Sequence, residues 1–588
     1  MAAPGRDPFG LELFKNALLA IADEMALTIL RTAYSGVLKD NMDYSTALAD
    51  GEGRTIAQGL TLPGHLCSFP DALEATLRRY GDRMQPGDVY CLNDPFEGGM
   101  HLPDVFVLKP IFWEGERIAF AATICHQTDV GGRVAGSNAA DSTEIYQEGL
   151  RIPPVKLYDR GEPNETLFRL IEKNVRLPVR VLGDLRAQLS ACHIAEQAFL
   201  RLVERHGAKP VKAYMEEILD YTERLTRAAV RALPDGEWSF EDWIDDDGIE
   251  VGKPIRLKVT FRKHGDTLVA DWTGTSPQVK GAINNTASYT KAATYTCLKS
   301  VISHDVPSNS GFYPAIEVIV PAGTIANAVL PAASAARGLT GFRMIDCGFG
   351  ALAQMLPDRV LAAGEGGNTG VSIGGYYPDR RPFIFVEFVC SAWGARPWAD
   401  GLDGNANLMA NMCLPSAEVT ETEQPVEIVC CEFIQDSGGA GKHRGGMSVR
   451  RAYRLREAEA VLQVRSDRRA FCPYGLYGGQ PGRPSLNLMN PGTADRLLPA
   501  KLTMTRRRGE VFCHEQPGTG GWGDPLERDP ARVLRDVRNE FVSLRSARED
   551  YGVVIDSGTC AVDLAATERL RAELRAARGW DKPPVFSR

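Results

Sequence analysis

The 588-residue chain contains no run of about 18 uninterrupted apolar residues, so no membrane-spanning helix is expected. Met1–Gly10 has no basic stretch followed by an apolar one, which argues against a secretion signal. Cysteines at C-x-x-C spacing are also missing; the thirteen present are scattered, and only Cys430 and Cys431 are adjacent. That usage argues against a disulfide framework or a cysteine zinc site and fits reduced thiols, so the expected compartment is the cytoplasm. Positive charge is in deficit, 67 Lys and Arg against 75 Asp and Glu, and no dense basic patch occurs. A nucleic-acid surface is therefore not expected, and Arg506-Arg507-Arg508 reads as a solvated loop or edge. No Gly-x-Ser-x-Gly elbow stands in a strand–turn–helix context, so a serine triad of that kind has no support. There is neither an internal repeat nor a low-complexity tract.

What is present is a mixed α and β pattern (α+β, multidomain), long enough for two or three packed domains. Leu11, Phe14, Leu18, Ile21, Met25 and Ile29 recur in steps of three or four, which predicts a helix to Thr32 with Gly36 as a stop. Val89–Leu92, Val105–Ile111 and Ile118–Cys125 are short apolar runs bounded by Gly, Pro and Asp, and read as strands. Phe168–Ala232 predicts two or three packed helices, with Pro210 separating the later ones, and Pro234-Asp235-Gly236 marks a turn and a domain boundary. This gives an N-terminal strand-rich domain with packed helices over 1–235. A Gly-rich mixed domain over 236–528 follows, with neighbouring strands at Leu257–Phe261 and Thr267–Trp272 and one clear helix near Met344–Leu356. A helical segment over 529–588 completes the chain.

The richest chemistry lies in Asn93–Asp104, which packs three acids and a histidine between glycines and prolines. His101 and Asp104 are three apart, but Pro103 breaks a helix, so the pair sits at the mouth of the following strand. His126 ends the next strand. If the two strands are neighbours, His101, Asp104 and His126 converge at one sheet edge, and two imidazoles with a carboxylate are a common set for a catalytic divalent metal. H-x-x-D is short and frequent, so spacing alone leaves open two unrelated histidines.

The sequence resembles the hydantoinase B/oxoprolinase family. The resemblance runs through Asp43-Tyr44-Ser45, Asn93–Asp104, His126–Gly132, Glu148–Pro154, Asp271–Ser276, Gly441–Gly446 and Pro517–Pro525. It implies a divalent metal (zinc, manganese or iron) on His101, Asp104 and His126, with Asp43 as a fourth ligand or a close acid. It also implies a hydantoinase A-type partner subunit that binds ATP and magnesium, in a dimer of heterodimers. The implied reaction is ATP-dependent hydrolysis of a cyclic amide such as a hydantoin, oxoproline or lactam. A ketone carboxylase subunit and a non-catalytic scaffold for the ATP-binding subunit are the alternatives. Asp129, Asp94 and Glu148 are candidates for a general base or an acid that orients substrate.

Three look-alikes carry less. Gly438–His443 lacks both the first glycine and the Ser or Thr of a P-loop, and reads as a turn between strands. Asp271–Ser276 resembles a phosphate loop, but a single such loop makes no nucleotide site, so a structural turn is expected. Cys125 and His126 are adjacent on a strand, point to opposite faces, and cannot act as a dyad.

Overall fold

A computed structural model describes residues 7–302 and 305–588. Its organising element is a seven-stranded sheet built from β1 (Tyr44–Asp50), β2 (Thr55–Gln58), β3 (Val89–Leu92), β4 (Asp104–Trp113), β5 (Glu116–His126), β6 (Val155–Asp159) and β7 (Glu162–Pro163), in the order β2-β1-β5-β4-β3-β6-β7. The three strands predicted from apolar runs are thus present and adjacent. They read as near-continuous apolar runs because the sheet is covered on both faces. Along β4, Val105 and Val107 pack toward the helices Pro8–Thr32 and Pro178–His206, while Phe106 and Leu108 pack into the second core. Burying a side chain such as Phe106 contributes about 1.5–3 kcal/mol, and the alternation locks the register, since a one-residue slip would exchange the two faces.

The first helix spans Pro8–Thr32 and buries Phe14, Leu18, Ile21, Met25 and Ile29 as predicted. It begins earlier than expected, because Asp7 accepts a hydrogen bond from the Phe9 amide (3.1 Å) and Pro8 suits the first turn. Gly36 is not its stop. The helix ends at Thr32, and Gly36 opens a short helix of its own, Gly36–Lys39. The region predicted as helical from Phe168 holds three helices, the first starting slightly earlier, Glu165–Asn174, Pro178–His206 and Ala208–Arg231. The break between the last two falls at Gly207 rather than Pro210, which is tolerated in a first turn where amides lack helical partners.

Beyond Gly236 a four-stranded sheet (Gly236–Ile244, Ile255–His264, Thr267–Asp271, Ile316–Ile319) shares its core with two helices, Ala287–Ile302 and Gly338–Met355. The second helix contains the predicted Met344–Leu356 stretch up to Met355. The first escaped the sequence pattern because it is buried almost all round and carries no one-sided apolar stripe. A further sheet pairs Thr369–Tyr376 with Pro382–Val389 and Glu459–Arg465. The Gly441–Gly446 and Pro517–Pro525 motifs lie side by side, with the His443 and Trp522 amides and carbonyls exchanging hydrogen bonds at 3.0 Å. A Cβ on Gly518 would lie 1.7 Å from the Ser437 carbonyl oxygen, so glycine is required where these backbones cross. Helices return at Pro530–Arg538, Leu544–Glu549 and Leu564–Arg578. No helix among the described residues is long and apolar enough to cross a membrane.

Candidate metal centre

Strand order brings the expected residues to one end of the sheet. Asp104 opens β4 and pairs directly with His126, the last residue of β5. On the other side of β5, Tyr44 pairs with Cys125, and the Asp43 carbonyl accepts from the His126 amide (3.1 Å). His101 approaches from the loop before β4, where the Asp104 amide donates to its carbonyl. His101, Asp104 and His126 are all buried and each offers a donor atom, these atoms lying within 4.8 Å of one another. Cys125 faces the helix side of the sheet, away from His126.

The donor set fits a divalent cation. His101 Nδ1 lies 2.9 Å from the Ala335 carbonyl oxygen, which can only accept, so Nδ1 carries the proton. The unprotonated Nε2 then faces Asp104 Oδ2 at 3.0 Å, two acceptors with no proton between them. His101 Nε2, Asp104 Oδ1 and His126 Nδ1 are buried without a hydrogen-bond partner among the described residues. Orphaned buried polar atoms cost about 1–3 kcal/mol each, and a cation bound by the acceptors among them, His101 Nε2 and Asp104 Oδ1, removes their penalty. A metal-binding histidine commonly donates its other N–H to a backbone carbonyl, as His101 does to Ala335.

The electrostatics are unusual. Burial drives the His101 and His126 imidazoles down from their ordinary values, His126 far down, so both stay neutral. Burial, followed by the charge of Asp104, pushes Asp43 well up. Burial opposes ionisation of Asp104, but the Arg337 guanidinium paired with Oδ2 favours it, and the carboxyl is held well below the usual range.

Sequence reasoning missed several residues here. His65, on the short helix Pro63–Leu66, places Nε2 3.5 Å from Asp43 Oδ1 and 3.7 Å from Asp104 Oδ1. Burial pushes its imidazole down to about 4. Arg337 pairs with Asp104 Oδ2 and stacks on Tyr289, with its Cζ 3.9 Å from the ring centre. Asn138 presents its amide to His126 Nε2 at 3.2 Å. Arg337, Asn138, Phe388 and Arg465 line the cavity in front of the histidines.

The three candidate catalytic acids are not among the residues lining this cavity. Asp129 is turned away into an ion pair with Arg176 (2.8 Å) and accepts from the Arg176 amide (2.7 Å). Asp94 accepts from the Phe96 amide in its own loop and faces Arg151 at 3.3 Å. Glu148 Oε1 accepts from the Ser334 and Ala335 amides, both at 2.8 Å, and so grips the segment whose carbonyl orients His101. Burial raises its pKa to about 8.

A hydantoinase B/oxoprolinase family model matches residues 7–525. The chain belongs to that family. Among its relatives is a protein of a Pseudomonas species named as the B component of a putative D-/L-hydantoinase, 31% identical, with 96% of this chain and 98% of that one covered. The beta chain of the Pseudomonas jessenii caprolactamase is 35% identical over 96% of this chain and 99% of its own. The crystal structure of the ATP-dependent caprolactamase superposes with a TM-score of 0.90 at 32% identity, covering 96% and 99% of the two chains. A nucleotide-free acetone carboxylase structure superposes at 0.87 with 19% identity, covering 99% of this chain and 84% of that one, a likeness of fold alone. In this hydantoinase B-type chain, then, the histidine–carboxylate cluster sits inside a fold shared by hydrolases and a carboxylase.

Proposed function

We propose that this chain is the metal-carrying subunit of an ATP-dependent cyclic amide hydrolase acting on a hydantoin, oxoproline or lactam ring. One observation carries the reading. His101, Asp104 and His126 converge, with orphaned donor atoms, in the buried cavity of a chain whose relatives are named as components of a hydantoinase and a caprolactamase. His101, Asp104 and His126 would hold a zinc, manganese or iron ion, with Asp43 as fourth ligand or neighbouring acid. Such an ion, when bound, supplies Lewis acidity that polarises a carbonyl oxygen and acidifies water.

The chain's own residues do the rest. Arg337 holds Asp104 ionised, and the Ala335 carbonyl fixes the His101 tautomer. Asn138 orients His126. Glu148 acts by positioning the 334–335 segment, while Asp129 and Asp94 hold their loops. Amides resist hydrolysis, so ATP-dependent phosphorylation of the carbonyl oxygen is assigned to a hydantoinase A-type partner binding ATP and magnesium, in a dimer of heterodimers. The thirteen free cysteines suit the cytoplasm.

The test is to co-purify the partner and screen hydantoins, lactams and ketones with ATP, with and without labelled bicarbonate. ATP-dependent ring opening without label uptake is expected. Incorporation of labelled bicarbonate into an organic product would replace this reading with the carboxylase one.

A further inference from the structure

Arg465 ends the strand Glu459–Arg465 and is only 3% exposed, yet among the described residues no carboxylate pairs with it. Most other deeply buried arginines differ, although Arg506, which lies away from this cavity, also has only backbone carbonyls as partners among the described residues. Arg451 pairs with Glu387 (2.8 Å), Arg468 with Asp242 (3.2 Å) and Arg528 with Asp536 (2.6 Å). Arg465 has neutral partners only: Nη1 donates to the Asn138 carbonyl (2.8 Å) and the Ser372 hydroxyl (3.2 Å), and Nη2 has none. Burial pushes its pKa down to about 9, which leaves it charged at neutral pH. A lone buried charge is among the most costly features a fold can retain. The neighbouring strand even makes room for it, since a Cβ on Gly370 would lie 2.0 Å from Nη2.

The guanidinium lines the same cavity as the histidines. Asn138 joins the two halves, its carbonyl taking Arg465 and its amide facing His126. Phe388 lies beneath both, with its ring centre 5.6 Å from the His126 ring and 5.8 Å from Arg465 Cζ. The 18-residue helix Gly338–Met355 also begins at this cavity, and the positive end of its dipole favours an anion there. Asp43 and Asp104 are matched in charge by Arg337 and Arg465, so a divalent cation would leave a net positive cavity.

We propose that Arg465 is the oxyanion-binding residue of this cavity, taking a phosphoryl or carboxylate group carried by the substrate opposite the histidine–aspartate cluster. A planar guanidinium fork suits either group. The proposal rests on the reading of this cavity as the substrate site, but its test needs neither ATP nor turnover.

The full-length chain, metal-stripped and metal-loaded, is titrated calorimetrically with inorganic phosphate and, separately, with 5-oxoproline as the carboxylate probe. R465M removes the charge, R465K keeps a point charge, and G370A keeps the arginine but crowds its guanidinium. At least one anion should bind the wild type one to one. R465M and G370A should weaken that binding tenfold or more, with R465K between, and the loss should persist without metal. Phosphate binding alone assigns the site to the phosphoryl group, and 5-oxoproline binding alone assigns it to a substrate carboxylate. If neither anion binds, or if the folded variants bind like the wild type, the proposal is overturned. Bicarbonate incorporation in the turnover assay would remove the hydrolase reading and leave an oxyanion site measured this way standing.

Discussion

His65 Nε2 lies 3.5 Å from Asp43 Oδ1, and the same nitrogen reaches within 3.7 Å of Asp104 Oδ1, so one imidazole bridges two carboxylates contributed by different strand ends. Burial and then the charge of Asp104 disfavour ionisation of Asp43, while Arg337 favours it in both acids. Replacing His65 with Gln should lower metal affinity by about 10–100-fold, as for residues that orient ligands, and leave the fold intact. Competition against a fluorescent chelator measures this, and a wild-type affinity would remove His65 from the site.

His101→Ala and His126→Ala should cost more than that, because each removes a donor atom itself. Metal content after dialysis should fall well below one ion per chain. His193→Ala is the control: it lies on the helix Pro178–His206 with a side chain 62% exposed and should keep its metal. Full metal content in both ligand variants would mean that the cluster is an accident of packing.

Glu148→Ala should lower stability by about 1–3 kcal/mol, because the Ser334 and Ala335 amides lose their acceptor inside the protein. Urea unfolding reads this directly. The pH profile of turnover should keep its shape, since Glu148 acts through the segment it holds. Loss of one limb of that profile would instead give Glu148 a proton-transfer role.

His514 supplies a pH test away from the cluster. Burial holds its imidazole at about 4 against an ordinary value of 6.5, with Nδ1 2.6 Å from Asn487 Oδ1. Between those values the unfolded chain binds the proton and the folded chain does not, so stability falls as pH drops from 6.5 toward 4. His514→Asn should reduce proton uptake on unfolding by about one in that window. Denaturation at several pH values measures the slope, and an unchanged slope would contradict the assignment.

How much of this was legible depended on sequence distance. β3, β4 and β5 announced themselves as apolar runs, and the turn before β4 put His101 and Asp104 within reach of His126. Arg337 meets Asp104 across 233 residues, and Arg465 meets Asn138 across 327, contacts that no local pattern encodes. Asp129 shows the converse error. It stands three residues from His126, but its side chain turns to Arg176, because proximity along a chain does not fix direction. The helix Ala287–Ile302 went unread because burial on nearly every side erases the periodicity by which helices are recognised.

Direct pairing of Asp104 with His126 ties the site to the registry of β4 against β5. A strand shifted by one residue presents Cys125 where the imidazole should be and sends His126 to the helix side. The closeness of Asp104 and His126 is therefore set by backbone registry, so a substitution that disturbs the β4–β5 pairing would separate the two side chains even where it touches neither of them.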